Sequence, residues 1–195
     1  MVLPDKKKVA EQVKSSIQVI DQSENLLVES LPAIAEACIK AISGGGKLLI
    51  AGNGGSASQS MHFSAELTGR YLRDRKGLPC LALTTDSAMI TAWSNDSSFD
   101  EVYSRQVEAL GKKGDVLIVL TTSGNSENIV QAIETAKDLG LTTVLFTGKG
   151  GGKAHGMTDI ELNVDDTATP RVQENHLLAL HILADLIEQS FVSQD

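Results

Sequence analysis

Residues 51–66 read AGNGGSASQSMHFSAE, glycines and small hydroxyl residues first, then His62 and Glu66 four positions apart. Glycine lets a backbone approach an anion closely. A helix starting just after it aims free N–H groups and its positive dipole end at the same point. TTSGNS, at 121–126, repeats this character, and Ser56, Thr121, Thr122, Ser123 and Ser126 all offer hydroxyl donors. One such loop alone is a tight turn with an N-cap serine; two, each ending an apolar run, point to a phosphate ligand. GNGGSA does not match the dinucleotide G-x-G-x-x-G register, and the chain has no G-x-x-x-x-G-K-[ST]. A serine-rich loop without lysine suits a phosphomonoester better than a triphosphate carrying magnesium.

On a helix, His62 and Glu66 share a face. Imidazole and carboxylate can hold a divalent metal, and the carboxylate can be a general base. The alternative is a surface pair worth a few tenths of a kcal/mol; the neighbouring anion loop weighs against it. Near the C-terminus, PRVQENHLLALHILADLIE supplies Gln173, His176 and His181. His181 lies in an apolar run and either packs in a core or points into a site. Gln173 and His181 are eight positions apart, about 12 Å along a regular helix, which does not easily bring both to one ion. His176 is off the face of His181, and His155, in a glycine loop, is expected at solvent.

The elements that must position these residues alternate. KLLIAGN, LPCLALTTD, DVLIVLTTSGNS, TTVLFTGKGGG and the weaker IELNV read as strands, mostly short continuous apolar runs that suit burial on both faces. Helical stretches separate them, which predicts an α/β fold on a parallel sheet, with ligands beyond the carboxyl ends of the strands. Two helices precede the sheet. One covers about 6–29; the other begins near Leu31, with Pro32 in its first turn, and stops at the glycines of 44–46. A long helix from about Arg171 to Phe191 ends the fold.

The 195 residues are enough for one domain with a real core. A net charge of −8 weighs against a nucleic-acid partner, which needs a basic face. No apolar run approaches the roughly 20 residues of a membrane span, and no signal-peptide core follows the N-terminal lysines; a cytoplasmic protein is expected. Cys38 and Cys80 sit in apolar stretches without metal-type spacing and read as buried, reduced thiols.

Taken together, GNGGSA, MHFSAELTGRY, LTTD, SNDSSFDEVYSRQVEALG, GDVLIVLTTSGNS, TGKGGGKA and TPRVQENH with the later His181 resemble the phosphoheptose isomerase family of SIS (sugar isomerase) domains. The resemblance runs from about Gly46 to the C-terminal helix. It implies a single SIS domain over residues 1–195: a five-stranded parallel sheet flanked by helices, a long C-terminal helix, and a 1–43 helical segment used in packing or oligomer contacts. It implies interconversion of sedoheptulose 7-phosphate and D-glycero-D-manno-heptose 7-phosphate through an enediol, the first step toward bacterial ADP-heptose and lipopolysaccharide core heptose. It also implies a homotetramer with sites at subunit interfaces and one zinc per subunit. Asn53, Gly54, Gly55, Asn95, Asp96, Thr121, Thr122, Ser123 and Ser126 match substrate contacts, with Ser56 beside them. His62, Glu66, Gln173 and His181 match zinc ligands, and of these Glu66 and Gln173 also face substrate. Glu66 and His181 match the base and acid. Thr121 replaces a more usual serine, and Trp93, Ser94, Ser97 and Ser98 depart from the pattern beside Asn95 and Asp96. The alternative is a non-catalytic relative that binds the replication initiator protein; Glu66 and His181, expected to be replaced there, are both present.

Overall fold

The computed structural model describes residues 5–192. Two helices lead in, α1 (Lys6–Gln22) and α2 (Glu24–Ser43). Then come β1 (Leu48–Gly52), α3 (Gly55–Thr68), β2 (Cys80–Ala82), α4 (Ser87–Asp96) and α5 (Val102–Leu110). The chain continues through β3 (Val116–Thr121), α6 (Glu127–Asp138), β4 (Thr142–Gly148), β5 (Ile160–Val164) and α7 (Thr169–Gln189). All strand pairs are parallel, in the order β2-β1-β3-β4-β5. The expected five-stranded parallel sheet between helices is therefore observed.

Side-chain parity divides the core in two. Leu48, Ile50, Val116, Ile118, Leu120, Val144 and Phe146 face α2, α3 and α7. Leu49, Ala51, Leu117, Val119 and Leu145 face α5 and α6. Every residue of β1 and β3 is buried, which is why these strands read as unbroken apolar runs. Cys38 and Cys80 are buried free thiols, and burial pushes both pKa values up, that of Cys80 to about 12. No described helix is long and apolar enough to cross a membrane.

The N-terminal helices differ from expectation. They separate at Ser23, whose N–H bonds to the Val19 and Ile20 carbonyls while its hydroxyl donates to Val19 O at 2.8 Å. No glycine or proline marks that break. Pro32 lies inside α2, not in its first turn. The missing N–H leaves the Val28 carbonyl without its helical donor. Val28 is exposed, so water can take that place and the helix continues. α7 begins two residues earlier than expected, with Pro170 in its first turn.

His176 is a structural residue. It is fully buried, edge-on to Phe146, with Nε2 3.1 Å from the Thr147 carbonyl. A carbonyl only accepts, so Nε2 carries the proton and the ring is neutral. Burial pushes its pKa from 6.5 down to about 4, against the smaller opposing effect of that hydrogen bond. The unfolded chain therefore binds a proton before the folded one does. Stability falls as pH drops through this window, by at most about 3 kcal/mol from this group. We expect His176→Gln, which cannot titrate, to be less stable than wild type in urea at about pH 7. The gap should narrow by about pH 4.5; a gap independent of pH would contradict the assignment.

Candidate active site

β1 and β3 are neighbours, yet the chain runs from β1 outward to β2 before returning to β3. In a doubly wound sheet that reversal opens a crevice beyond the carboxyl ends of the two strands. A cleft of about 320 Å³ occupies it. Asn53, Gly54, Gly55 and Ser56 form one side, Thr121, Thr122, Ser123 and Ser126 the other, and Thr169 and Gln173 of α7 close it. The two loops singled out in the sequence thus meet in one place. A larger hollow of about 550 Å³ lies at the opposite, amino-terminal ends of the strands, between α2 and the Lys112–Gly114 turn, and none of the expected residues reaches it.

The cleft has the donors to hold an oxyanion. α3, α6 and α7 all begin at it, and no side chain caps the first turn of any of them. Their free amides and dipole ends converge on a wall rich in hydroxyls. Gly54 adopts φ 58°, which favours glycine, and a Cβ on Gly55 would stand 2.7 Å from Gln173 Nε2, so a side chain there would displace the Gln173 amide. Thr121 Oγ1 accepts from the Gly124 amide at 3.2 Å and curls its loop; the hydroxyl in place of a more usual serine does structural duty here.

Two residues that the sequence did not single out, Asn128 and Tyr103, help hold this frame. Asn53 and Asn128 exchange amide hydrogen bonds of 2.9 and 3.0 Å, tying the loop after β1 to α6. Tyr103 donates from its hydroxyl to the Gly52 carbonyl at 2.6 Å, and burial pushes its pKa up to about 12. Asn128 was embedded in a polar run, TTSGNSEN, with nothing to distinguish it from a surface residue.

A second cluster lies farther along α3 and α7. His62 Nε2 is 2.8 Å from His181 Nε2, with the rings nearly perpendicular, and 3.5 Å from Glu66 Oε1. The pairing of His62 with Glu66 on one helix face is as expected. Tyr71 stacks on His181, ring centroids 5.9 Å apart. The loop bearing Tyr71 is strapped to α7 by the buried Glu188, which accepts from the amides of Tyr71, Leu72 and Arg73. Burial alone would raise the Glu188 pKa, but these amides and Arg75 outweigh it and hold the carboxyl below its ordinary value. Arg75 Nε lies 3.2 Å from Glu188, an ion pair more than an aligned hydrogen bond, and Arg75 Nη2 donates to the Glu66 carbonyl.

Not all expected residues converge. Gln173 belongs to the cleft, where its carbonyl accepts from Gln59, and not to the His62–His181 cluster. Among the described residues no group of three or more His, Cys, Asp or Glu is arranged to hold a metal. Asn95 and Asp96 are exposed at the end of α4, bonded to each other and away from the cleft lining. Trp93 and Ser97 both serve Glu101, and Arg105 stacks over Trp93. His155 is exposed, paired with Glu161.

Comparison with known proteins gives a consistent result. The SIS domain profile matches residues 11–148. A phosphoheptose isomerase from Helicobacter pylori (strain P12) is 46% identical over 193 residues, covering 99% of this chain and 95% of that protein. The structure of a phosphoheptose isomerase from Francisella tularensis superposes with a TM-score of 0.92 at 39% identity, covering 96% of this chain and all of the other. That of Neisseria gonorrhoeae gives 0.90 at 41% identity, covering 94% and 98%.

The reciprocal amide pair generates a prediction. Asn128→Ala removes both hydrogen bonds that the half-buried Asn53 amide makes to it, at a cost of about 1 kcal/mol. We expect a lower melting temperature together with weaker binding of inorganic phosphate by calorimetry. Full retention of both would show that the pair does not hold the loop.

Proposed function

The chain belongs to the SIS domain family, among its sugar-phosphate isomerases, and from that premise we propose that it interconverts sedoheptulose 7-phosphate and D-glycero-D-manno-heptose 7-phosphate. We take this as the first step toward bacterial ADP-heptose and lipopolysaccharide core heptose. The observation that carries the reading is an anion cleft at the β1/β3 reversal, with His62, Glu66 and His181 farther along the two helices that start there. Residues 173 and 181 are separated by about 12 Å along α7. A seven-carbon chain of six bonds of about 1.5 Å, with its phosphate added, matches that scale. The phosphate would lie in the cleft and the reacting C1–C2 end near the second cluster.

The chemistry assigned to these residues is a proton transfer. Glu66 as carboxylate removes the proton from C1 of the ketose and returns it at C2. His181 moves the hydroxyl proton between O1 and O2, so no atom is gained or lost. Donors around the enediol oxygens stabilise the charge that develops there. We further propose one zinc per subunit on His62, Glu66, Gln173 and His181. The convergence of two imidazole Nε2 atoms with a carboxylate beside them supports this, because that donor chemistry suits zinc. When bound, zinc would polarise the carbonyl and hold sugar oxygens.

The position of Gln173, and of Asn95 and Asp96, supports a site completed by association, and we propose a homotetramer. α1 carries Val9, Val13 and Ile17 on one exposed stripe, and α4 has no buried residue. Such faces are ordinarily covered.

Two outcomes test this reading. Glu66→Gln preserves shape but removes the base, and turnover of sedoheptulose 7-phosphate should fall at least roughly 100-fold; His181→Gln should fall comparably. A folded Glu66→Gln protein keeping more than about a tenth of wild-type turnover would refute the mechanism. Light scattering in moderate salt should give about four times 20.7 kDa, and a fully active monomer would remove the interface-built site.

A further inference from the structure

We propose that Lys149 is the cation of the phosphate cleft, an anion-binding residue held ready by a strained backbone. This rests on the reading that the cleft takes the phosphate of the substrate. No residue lining the cleft carries a charge, whereas a phosphomonoester brings close to two negative ones. Hydroxyls and helix ends supply partial charges only.

Lys149 follows β4 and is the one non-glycine described residue with positive φ, at 56°. The next three residues are glycines that also have positive φ. The chain therefore places a lysine where its own neighbours are glycine and where a side chain is disfavoured. The Lys149 amide donates to the Asp166 carbonyl at 3.1 Å, which holds the backbone in place. Its Nζ donates to Thr169 Oγ1 at 3.1 Å, and Thr169 is a lining residue of the cleft at the start of α7.

The segment carrying Lys149 is bolted to the phosphate loop. A Cβ on Gly124 would stand 1.7 Å from the Gly151 carbonyl oxygen, so the two loops touch backbone to backbone. The Ala154 amide donates to the Gly124 carbonyl and the Lys153 amide to Asn125 Oδ1. Lys153, four positions on, is paired with Glu127 at 3.2 Å and is committed elsewhere. Lys149 has no carboxylate partner among the described residues; its ammonium rests on a neutral hydroxyl beside an uncharged anion site.

Titration with inorganic phosphate by calorimetry, in a buffer free of other multivalent anions, tests this alongside turnover. For Lys149→Met we expect affinity for phosphate and for sedoheptulose 7-phosphate to fall about ten-fold, the lower part of the range for a hydrogen bond to a charged group. The loss should appear mainly in Kd and KM, with a shallower dependence on salt. Lys149→Arg should restore most of the affinity. Lys149→Gly should bind as weakly as the methionine variant yet melt no lower than wild type, because the strain is gone. If Lys149 only ties its loop to α7, the methionine and glycine variants would melt lower while keeping wild-type phosphate affinity and salt dependence; that overturns the proposal. A wild-type protein that binds phosphate but does not turn over the heptose phosphate would refute the isomerase reading and leave Lys149 to be judged on phosphate alone. A wild-type protein that binds no phosphate refutes both.

Discussion

The register of β1 against β3 is the constraint on which the site depends. Gly52 stands opposite Leu120, so the two chains leave the sheet side by side and their polar loops meet. Both strands are apolar on both faces, and inward–outward alternation therefore cannot set that register as it does in a half-exposed sheet. Asp115 offers a pin at the other end. Its buried carboxylate accepts from the Lys47 and Lys112 amides and pairs with Lys47 Nζ, joining the residues just before each strand. Breaking such a pair leaves a buried charge uncompensated, so this junction resists slippage in a way that apolar contact alone does not.

Above the sheet, α3 and α7 touch at two levels. Gln59 donates to the Gln173 carbonyl near the cleft, and His62 meets His181 farther along. One pair of helices thereby holds the cleft and the His62–His181 cluster at a fixed separation. Glu188 extends the arrangement, since the loop it gathers brings Tyr71 against His181 and sends Arg75 back to the end of α3. A buried carboxylate with three amide donors and an arginine is fully satisfied, and that makes it a rigid strap instead of a liability.

Much of this was legible in the sequence because it is local. Continuous apolar runs marked the strands, glycine-rich stretches marked their ends, and four-residue spacing put His62 and Glu66 on one helix face. The N-terminal helices were misjudged for the same reason. Ser23 breaks the helix through its own backbone geometry, and Pro32 is tolerated because Val28, whose carbonyl it orphans, is an exposed residue. Neither fact is written in residue type.

What the sequence by itself determined was the α/β pattern, the glycine- and hydroxyl-rich loops at its strand ends and the set of candidate residues, since hydrophobic period, turn residues and functional groups are properties of short windows. Only the tertiary structure decided which of those residues meet. His62 and His181 are 119 positions apart and Asn53 and Asn128 are 75, and nothing local couples them. His176 and His181 stand on one helix, yet one is a buried neutral prop and the other half-exposed at the site. Their different fates follow from which neighbour each faces across the packed layers, a contact that exists only once the sheet and α7 have come together.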